Sequence, residues 1–417
     1  MHIPSLAPRI DDVPSADTGV AIRHAGPAVL AEALQASRRD TLARFAAIER
    51  ALPHLRVPPR ETLNPPLWEL GHIGWFQEFW IARNPQRAVG ARADPAAPRS
   101  RGVRDTADAL YDSSTVPHAT RWSLPLPDAD ATRADLARQL DTTLALLGDS
   151  DDADEALYFF RLALLHEDMH HEAALYMAQA LGLPLDDPRW RAVALPEACA
   201  SLAFDPGAWR LGSGPAGFAF DNELAAHSVA LPATQIDSRV LRWADYLPFV
   251  EAGGYAQPQW WDAAGRAWLA AEPARAPRYL RRGAGEAARW QQWRNGRWAA
   301  LDPALPASHL TAHEAAAWCC WAGRRLPTEA EWERAALMRP DAFAWGAVWE
   351  WTATAFAPYP GFAPHPYRDY SAPWFGDRRV LRGASFMTQP RMRHPRYRNF
   401  FKADRNDVPA GFRSCRP

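Results

Sequence analysis

Residues 162–176 read Leu-Ala-Leu-Leu-His-Glu-Asp-Met-His-His-Glu-Ala-Ala-Leu-Tyr, and this stretch decides the fold. Its apolar residues recur at helical spacing, and the run from about Ala153 to Leu181 ends at Gly182, which predicts one long helix. His166 and His170 stand four residues apart, so their imidazoles share a face and can converge on one metal ion. Glu172 is about 200° round the helix from His170 and is not expected to join that ion.

Three other helices are predicted in the N-terminal half. Apolar stripes and terminal signals place them at about 27–52, from Trp68 to Ala82 after Pro65-Pro66, and at about 129–148. Four such helices form an antiparallel bundle, which often holds metals on inward-facing side chains. The Pro- and Arg-rich connection at about 85–128 is expected to cover one end of this bundle.

The composition changes character near residue 185, where Gly, Pro and Trp begin to recur at short intervals. We predict an extended N-terminal arm over residues 1–26, a helical bundle over 27–184, a linker over 185–205 and a mixed, loop-rich domain over 206–417. The fold class is therefore α+β.

Two capping boxes predict short helices in the C-terminal domain. Thr311 is followed by Glu314, and Thr328 by Glu331, which is the spacing at which the two side chains bond each other's backbone N–H groups. The helices should cover about 311–322 and 328–338.

Charge and composition exclude several classes of function. The 417 residues carry 47 basic and 48 acidic side chains, so no global field attracts nucleic acid or a membrane surface. Lys402 is the sole lysine, which removes a P-loop and argues against Schiff-base chemistry. The four cysteines form no CxxC pair and are expected to be reduced thiols. Without a signal-peptide core or a membrane-length apolar run, a cytoplasmic protein is predicted.

His72 is the candidate for a third ligand. It lies among aromatic residues, with Gly71 and Gly74 allowing close approach of a neighbouring helix. A buried imidazole needs a partner, which is either a metal ion or a backbone carbonyl. Three neutral imidazoles with open positions suit Fe(II) or Zn(II). The string from His166 to His170 also fits the zinc metalloprotease pattern, in which Glu167 would act as the base.

These histidines and a set of C-terminal strings together resemble the EgtB-type sulfoxide synthases, non-haem iron enzymes of ergothioneine biosynthesis. The strings are Phe218–Leu224, Trp321–Glu333, Val348–Ala353, Tyr359–Phe362, Val380–Ser385 and Tyr397–Phe401. The resemblance implies a DinB-like four-helix bundle fused to a formylglycine-generating-enzyme-like (C-type-lectin-like) domain. It also implies that His72, His166 and His170 ligate Fe(II), that O2 is a co-substrate, and that the C-terminal domain completes a cleft for hercynine, the betaine of histidine.

Hercynine carries a quaternary ammonium, which aromatic faces and diffuse negative charge hold best. The matching strings and the C-terminal loop supply the candidates for hercynine binding, namely Trp349, Trp351, Arg398, Asn399, Phe400, Asp404 and Asn406, with Tyr359 as a candidate proton donor. Met169, just before His170, is also a candidate for hercynine binding, although it departs from the polar residue that is typical of the family there and offers only a soft thioether.

The second substrate is predicted from residues 110–122, where the family carries arginines for a cysteine-type donor. This loop holds one arginine and several hydroxyl, carboxyl and aromatic groups, which give the donor-binding candidates Asp112, Ser113, His118, Arg121 and Trp122. The His72 segment, residues 66–80, is most similar to the SenA branch, the selenoneine synthases, and the hydrogen-bonding and stacking groups of the loop would suit the sugar donor of that branch.

The resulting hypothesis is an O2-dependent Fe(II) enzyme that joins hercynine to a 1-seleno-sugar through a carbon–selenium bond. The first alternative is a sulfoxide synthase that uses cysteine or γ-glutamylcysteine. A zinc peptidase and a non-catalytic binding module are the two remaining hypotheses. The substrates are small molecules under either of the first two hypotheses, and the oligomeric state stays open.

Overall fold

The computed structural model describes residues 17–185, 187–272, 275–284 and 289–417. Within these residues the N-terminal half is helical and the C-terminal half combines short strands with helices. The N-terminal helices are α1 (Asp17–Ile22), α2 (Pro27–Ala51), α3 (Pro66–Trp80), α4 (Ala107–Tyr111), α5 (Ala129–Gly148) and α6 (Asp154–Leu181). The four long helices among them agree with the predicted bounds to within about two residues.

The bundle is built around α3 and α6, which are buried over most of their surface. Pro66 starts α3 at the position where a missing N–H costs no helical bond. Gly182 ends α6 in the left-handed conformation, with φ of 71°, as expected of a C-terminal glycine. Because both helices lie inside, their polar side chains must find partners within the protein.

The C-terminal domain is a set of small sheets framed by four helices. Its strands are β1 (Ser201–Phe204), β2 (Gly207–Leu211), β3 (His227–Leu231), β4 (Thr234–Asp237), β5 (Leu280–Arg282), β6 (Trp290–Arg294), β7 (Arg297–Ala300), β8 (Trp349–Ala355), β9 (Arg379–Gly383), β10 (Asn399–Phe401) and β11 (Ala410–Gly411). Its helices are α7 (Trp243–Glu251), α8 (Ala263–Ala271), α9 (Ala312–Trp321) and α10 (Glu329–Met338).

The largest sheet has the order β10-β9-β8-β11, with β11 parallel to β8 and the other neighbours antiparallel. Trp349 begins β8 opposite Gly383 of β9 and Ala410 of β11. Strands β1 and β4 form one antiparallel pair, β2 and β3 another, and β5, β6 and β7 a meander.

Both predicted capping boxes are present, at Thr311 with Glu314 and at Thr328 with Glu331. The core of the domain also contains charged pairs without solvent exposure. Arg413 donates to both carboxylate oxygens of Glu350 at 2.5 and 2.8 Å. Such a pair is costly to break singly, because one partner would be left buried and uncompensated.

Two predicted boundaries are wrong. The arm over 1–26 is not extended throughout, because Asp17–Ile22 forms α1, while residues 1–16 lie outside the described part. Arg23 then forms an ion pair with buried Glu223, so this segment packs on the C-terminal domain. The predicted linker over 185–205 contains β1, which pairs with β4 and belongs to that domain.

In the residues that the structure describes, every helix is too short or too polar to cross a membrane.

Close packing at Gly74 yields a stability prediction. An added Cβ at Gly74 would lie 2.2 Å from Oε1 of Gln139 and 2.8 Å from Leu136 on α5. Gly74→Ala should therefore lower the free energy of unfolding by about 1–3 kcal/mol, measured in urea. Gly148→Ala is the control, because an added Cβ there meets nothing within 4 Å and should be neutral or stabilising by up to about 1 kcal/mol. Equal effects of the two substitutions would contradict the packing argument.

Candidate metal centre

Three imidazoles from two helices meet inside the bundle. His72 lies on α3, and His166 and His170 lie one turn apart on α6. Their candidate ligand atoms all fall within 4.8 Å of one another, and the two Nε2 atoms of His166 and His170 are 3.3 Å apart. The ring of His72 lies 5.1 and 4.9 Å from those of His166 and His170. A single ion between the rings could reach all three.

Hydrogen bonds at the Nδ1 atoms orient two of these rings. Nδ1 of His72 donates to the carbonyl oxygen of Tyr111 at 2.8 Å. Nδ1 of His170 donates to Oε2 of Glu69 at 2.5 Å. Because each Nδ1 carries the proton, the Nε2 lone pair of both rings is available to a metal. A carboxylate or carbonyl partner of this kind is typical of metal-binding histidines.

Burial also keeps the imidazoles in their metal-binding form. It lowers the pKa of His72 to about 3 and that of His166 well below its ordinary value, with the neighbouring His170 acting in the same direction. Neutral imidazole is the species that ligates a metal. Burial acts to raise the pKa of Glu69, but the charge and hydrogen bond of His170 outweigh it and bring that pKa to about 2. Glu69 is therefore a carboxylate acceptor at neutral pH.

Glu69 is in turn the middle of a hydrogen-bonded chain. Nδ2 of Asn64 donates to the second oxygen of Glu69, and a guanidinium nitrogen of Arg121 donates to Oδ1 of Asn64 at 2.8 Å. Arg121 also lies 3.9 Å from the ring centroid of Trp68. The hydrogen-bonded chain links a cation in the predicted donor loop to His170.

Aromatic rings enclose the inner side of the centre. Phe76 stacks on His166 with ring centroids 3.5 Å apart, and Trp68 stacks on His72 at 4.8 Å. Tyr367, from the C-terminal domain, lies edge-on to His166 at 6.1 Å. Phe76 and Trp68 cover the centre from inside the bundle, whereas Tyr367 lies on the side that faces the C-terminal domain and is open to ligands.

The geometry argues against a zinc peptidase. Glu167 points away from the histidines and accepts two hydrogen bonds from Arg38, at 2.9 and 3.1 Å. It is 1% exposed, and its oxygens are engaged inside the bundle. A base must reach the water that it activates, so Glu167 cannot serve in that role here.

A cavity of about 1020 Å³ opens beside the centre and is lined by both domains. His166, His170 and Glu69 form its metal-side wall. Of the predicted substrate-binding residues, the cavity lining includes Met169, Trp349, Asn399, Phe400, Asp404, Asn406, Ser113, His118 and Arg121. The structure thus brings residues from four separate segments to one space beside the histidines.

Three predicted residues lie in the core of the C-terminal domain instead, outside this lining. The hydroxyl of Tyr359 donates to Glu329 at 3.0 Å, and Arg398 covers its ring. Arg398 donates to both oxygens of Glu329, at 2.8 and 2.9 Å, so its charge is already paired. The indole of Trp351 donates to the carbonyl of Leu310 at 2.7 Å. The structure places these three residues in the core and not at the predicted site, because each of their polar groups bonds to a partner in the core.

Two residues of the predicted donor loop also fall outside the lining. Asp112 accepts from the backbone and hydroxyl of Ser114 at 3.0 and 2.6 Å, which is a local turn. The indole of Trp122 donates to the carbonyl of Val57 at 2.9 Å. Both residues shape the loop, and neither faces the cavity.

Sequence reasoning missed four residues of the site. Glu69 and Glu78 are the two carboxylates of α3, and the position of Glu69 one turn before His72 was a usable signal. Tyr367, Tyr370 and Tyr397 line the cavity, and the hydroxyls of Tyr370 and Tyr397 lie 3.0 Å apart. Tyr397 begins one of the strings that carry the family resemblance, which was a usable signal, whereas no spacing rule identifies Tyr367 and Tyr370, which lie between β8 and β9 outside any long element.

The donor set fits a divalent ion. Three imidazoles converge, two of them held by partners at Nδ1, and among the described residues the cavity side carries no further protein ligand that would close the coordination sphere. Fe(II) and Zn(II) both accept such a set.

Comparisons with known proteins agree with this architecture. Residues 33–174 match the DinB superfamily, and residues 197–346 and 342–417 match the sulfatase-modifying factor enzyme 1-like domain. The chain is 31% identical to the hercynine oxygenase of Mycolicibacterium thermoresistibile over 95% of this chain and 96% of that protein. It is 31% identical to that of Mycolicibacterium smegmatis over 92% and 97%. The formylglycine-generating enzyme of Streptomyces coelicolor is 27% identical over 41% of this chain and 73% of its own length. The predicted pairing of a DinB-type bundle with such a domain is confirmed.

The bond between Glu69 and His170 yields a prediction about metal affinity. Glu69→Gln should weaken Fe(II) or Zn(II) binding by about 10- to 100-fold, because the amide orients the ring less firmly and supplies no charge. Titration of metal-free protein with each ion measures this change. Glu167→Gln is the control, because Glu167 is equally buried but contacts Arg38 rather than a histidine. An affinity that falls equally in both variants would show that buried charge, not the contact with His170, is responsible.

Proposed function

We propose a function from one established premise: this chain belongs to the EgtB-like family of hercynine oxygenases, and it is an oxidoreductase. We infer that it joins the imidazole ring of hercynine to the sulfur of a thiol donor, with dioxygen as the oxidant. One C–H and one S–H bond break, a C–S and an S=O bond form, and O2 is reduced by four electrons, with its second oxygen leaving as water. The convergence of His72, His166 and His170 beside a two-domain cavity carries this proposal.

Fe(II) bound by the three histidines would supply the activation of dioxygen. The chain itself supplies the surroundings. Phe76 and Trp68 cover the centre on its inner side, and Glu69 holds His170 in orientation. Exclusion of water protects reactive species from side reactions.

The aromatic wall of the cavity suits the trimethylammonium group of hercynine. Trp349, Tyr397, Tyr370 and Phe400 line one side, and Asp404 adds a carboxylate that forms no side-chain hydrogen bond or ion pair with the described residues. A quaternary ammonium cannot donate hydrogen bonds, so ring faces and diffuse negative charge are its natural partners. Hercynine bound there would direct its imidazole towards the histidines.

Two of the cationic side chains that line the cavity, Arg121 and Arg278, support an anionic donor. The other cationic side chains are paired with carboxylates. Arg378, Lys402 and Arg405 pair with Asp377, Glu61 and Asp407. By contrast, Arg121 and Arg278 donate to the neutral amides of Asn64 and Asn406 among the described residues. Burial lowers the pKa of Arg121, which reflects the cost of a charge without a close counterion. A donor with carboxylates would supply the counterions.

The selenosugar preference drawn from the sequence gains no support from this charge pattern. The relatives are named hercynine oxygenases, which favours the sulfoxide synthase hypothesis. Cysteine or γ-glutamylcysteine would place carboxylates near Arg121 or Arg278, whereas a neutral sugar would leave both unpaired. We therefore propose a carboxylate-bearing thiol as the donor and keep a cytoplasmic location as a prediction.

Tyr367 replaces Tyr359 as the candidate proton donor. It lines the cavity beside His166, whereas Tyr359 is bonded to Glu329 in the core. Burial raises the pKa of Tyr367 above its ordinary value, with Asp369 acting in the same direction. The phenol therefore stays protonated at neutral pH and can give up a proton only as charge develops nearby.

Metal binding can be tested at adjacent histidines. His170→Ala should reduce bound iron to background and abolish product formation, because one ligand is lost. His171→Ala is the matched control, since His171 contacts Arg44 and Trp190 instead. Iron analysis of both proteins after anaerobic loading gives the answer. Full iron content in His170→Ala would place the metal elsewhere.

Donor competition tests the substrate class. Iron-loaded protein would be exposed to air with hercynine and equal amounts of cysteine, γ-glutamylcysteine, a 1-thio-sugar and a 1-seleno-sugar, and the products identified by mass spectrometry. We expect a sulfoxide from a carboxylate-bearing thiol, with Arg121→Met weakening the use of that donor more than the binding of hercynine. A product formed from the seleno-sugar alone would restore the selenium hypothesis.

A further inference from the structure

Glu172 joins the metal-bearing helix α6 to the C-terminal domain. It lies two residues after His170, and its side chain is buried. Its carboxylate accepts three hydrogen bonds from that domain: from the indole of Trp349 at 2.7 Å, from Ser385 at 2.6 Å and from Thr388 at 2.9 Å. Three donors converge on the two carboxylate oxygens, so the position of this side chain is well defined.

The two hydroxyl donors are themselves fixed. The backbone N–H of Ser385 donates to the hydroxyl of Thr388 at 2.8 Å, and that of Met387 donates to the hydroxyl of Ser385 at 3.0 Å. Each hydroxyl therefore accepts from the loop after β9 and gives its proton to Glu172. The carboxylate of Glu172 therefore has little freedom to move. The third donor, the indole of Trp349, bonds to the same carboxylate oxygen, Oε1, as the hydroxyl of Ser385.

Trp349 connects this junction to the cavity. Its ring lines the cavity and lies 5.6 Å from that of Tyr397. Tyr397 in turn directs its hydroxyl to the sulfur of Met169 at 3.5 Å, next to His170 in the chain. The aromatic wall and the metal ligands thus belong to different domains, and Glu172 spans the two.

We propose that Glu172 is a positioning residue that fixes the Trp349 indole relative to His170, and thereby sets the distance between the quaternary ammonium site and the metal centre. This inference rests on the proposed function, because it assumes that hercynine binds against the wall. Glu172 acts through Trp349 and is not itself expected to touch the reacting atoms.

Asp168 provides a matched control on the same helix. It lies one turn before Glu172, is fully buried, and also reaches the C-terminal domain, where Arg391 donates to both its oxygens at 2.9 and 2.8 Å. Asp168 does not contact the aromatic wall and does not line the cavity. A substitution there weakens the domain junction without releasing Trp349.

The first test measures hercynine binding by calorimetry on metal-free protein. Glu172→Gln should raise the Kd by about tenfold, because the amide offers one acceptor oxygen to three donors and Trp349 shifts. Trp349→Phe removes the same bond from the other side and should raise the Kd by a similar factor. The double variant should be no weaker than either single variant, while Asp168→Asn should keep the wild-type Kd even if its midpoint of thermal unfolding falls. Additive effects, or an unchanged Kd in Glu172→Gln, would overturn the proposal.

The second test needs no ligand. Protein containing 5-fluorotryptophan gives a ¹⁹F signal for Trp349, assigned by its absence in Trp349→Phe. Glu172→Gln should shift this signal and Asp168→Asn should leave it in place; an unshifted signal in Glu172→Gln would overturn the positioning role. If wild-type protein does not bind hercynine but the signal shifts as expected, the proposed function fails and the positioning of Trp349 by Glu172 stands.

Discussion

The structure depends on one constraint: each buried charged side chain of helix α6 needs a partner inside the protein. Removing one partner of such a pair leaves the other charge buried and unpaired, which costs about 3–5 kcal/mol of stability. Three carboxylates of α6, at positions 167, 168 and 172, meet this requirement with partners on three different sides of the helix. Glu167 pairs with Arg38 inside the bundle, Asp168 with Arg391, and Glu172 with donors of the C-terminal domain. With its rotation fixed in this way, the helix has one orientation, and His166 and His170 are directed to the remaining face.

The same constraint explains why the centre requires two domains. The bundle alone supplies the three imidazoles and the partners of their Nδ1 atoms, Tyr111 and Glu69. It supplies neither the aromatic wall nor the far side of the cavity, which come from β8, β10 and the loop before β9. Asp168 and Glu172, which bond α6 to the C-terminal domain, lie on either side of His170 in the chain. The contacts that hold the two domains together therefore also orient His166 and His170.

The bundle could be predicted from the sequence, whereas much of the cavity could not. Periodicity and caps fix the ends of α2, α3, α5 and α6, and the spacing of His166 and His170 fixes a shared face. Helix α7 escaped prediction because Pro248 interrupts its pattern, and β1 because four residues carry little signal. Trp351 and Tyr359 illustrate a deeper limit: an aromatic residue in a family-like string can serve the core or the site, and only its hydrogen-bond partner distinguishes them.

Charge around the centre explains why the second substrate should be an anion. In the proposed function the imidazoles would not offset the two charges of a divalent ion, and Glu69, the carboxylate in contact with His170, is linked through Asn64 to Arg121. Metal and arginine therefore carry more positive charge than Glu69 can balance in a site of low dielectric. A thiolate with an attached carboxylate compensates at both ends, since its sulfur suits the metal and its carboxylate suits the guanidinium. In the proposed arrangement hercynine would hold its own cation on the aromatic wall, across the cavity from the donor, and would not add to this imbalance.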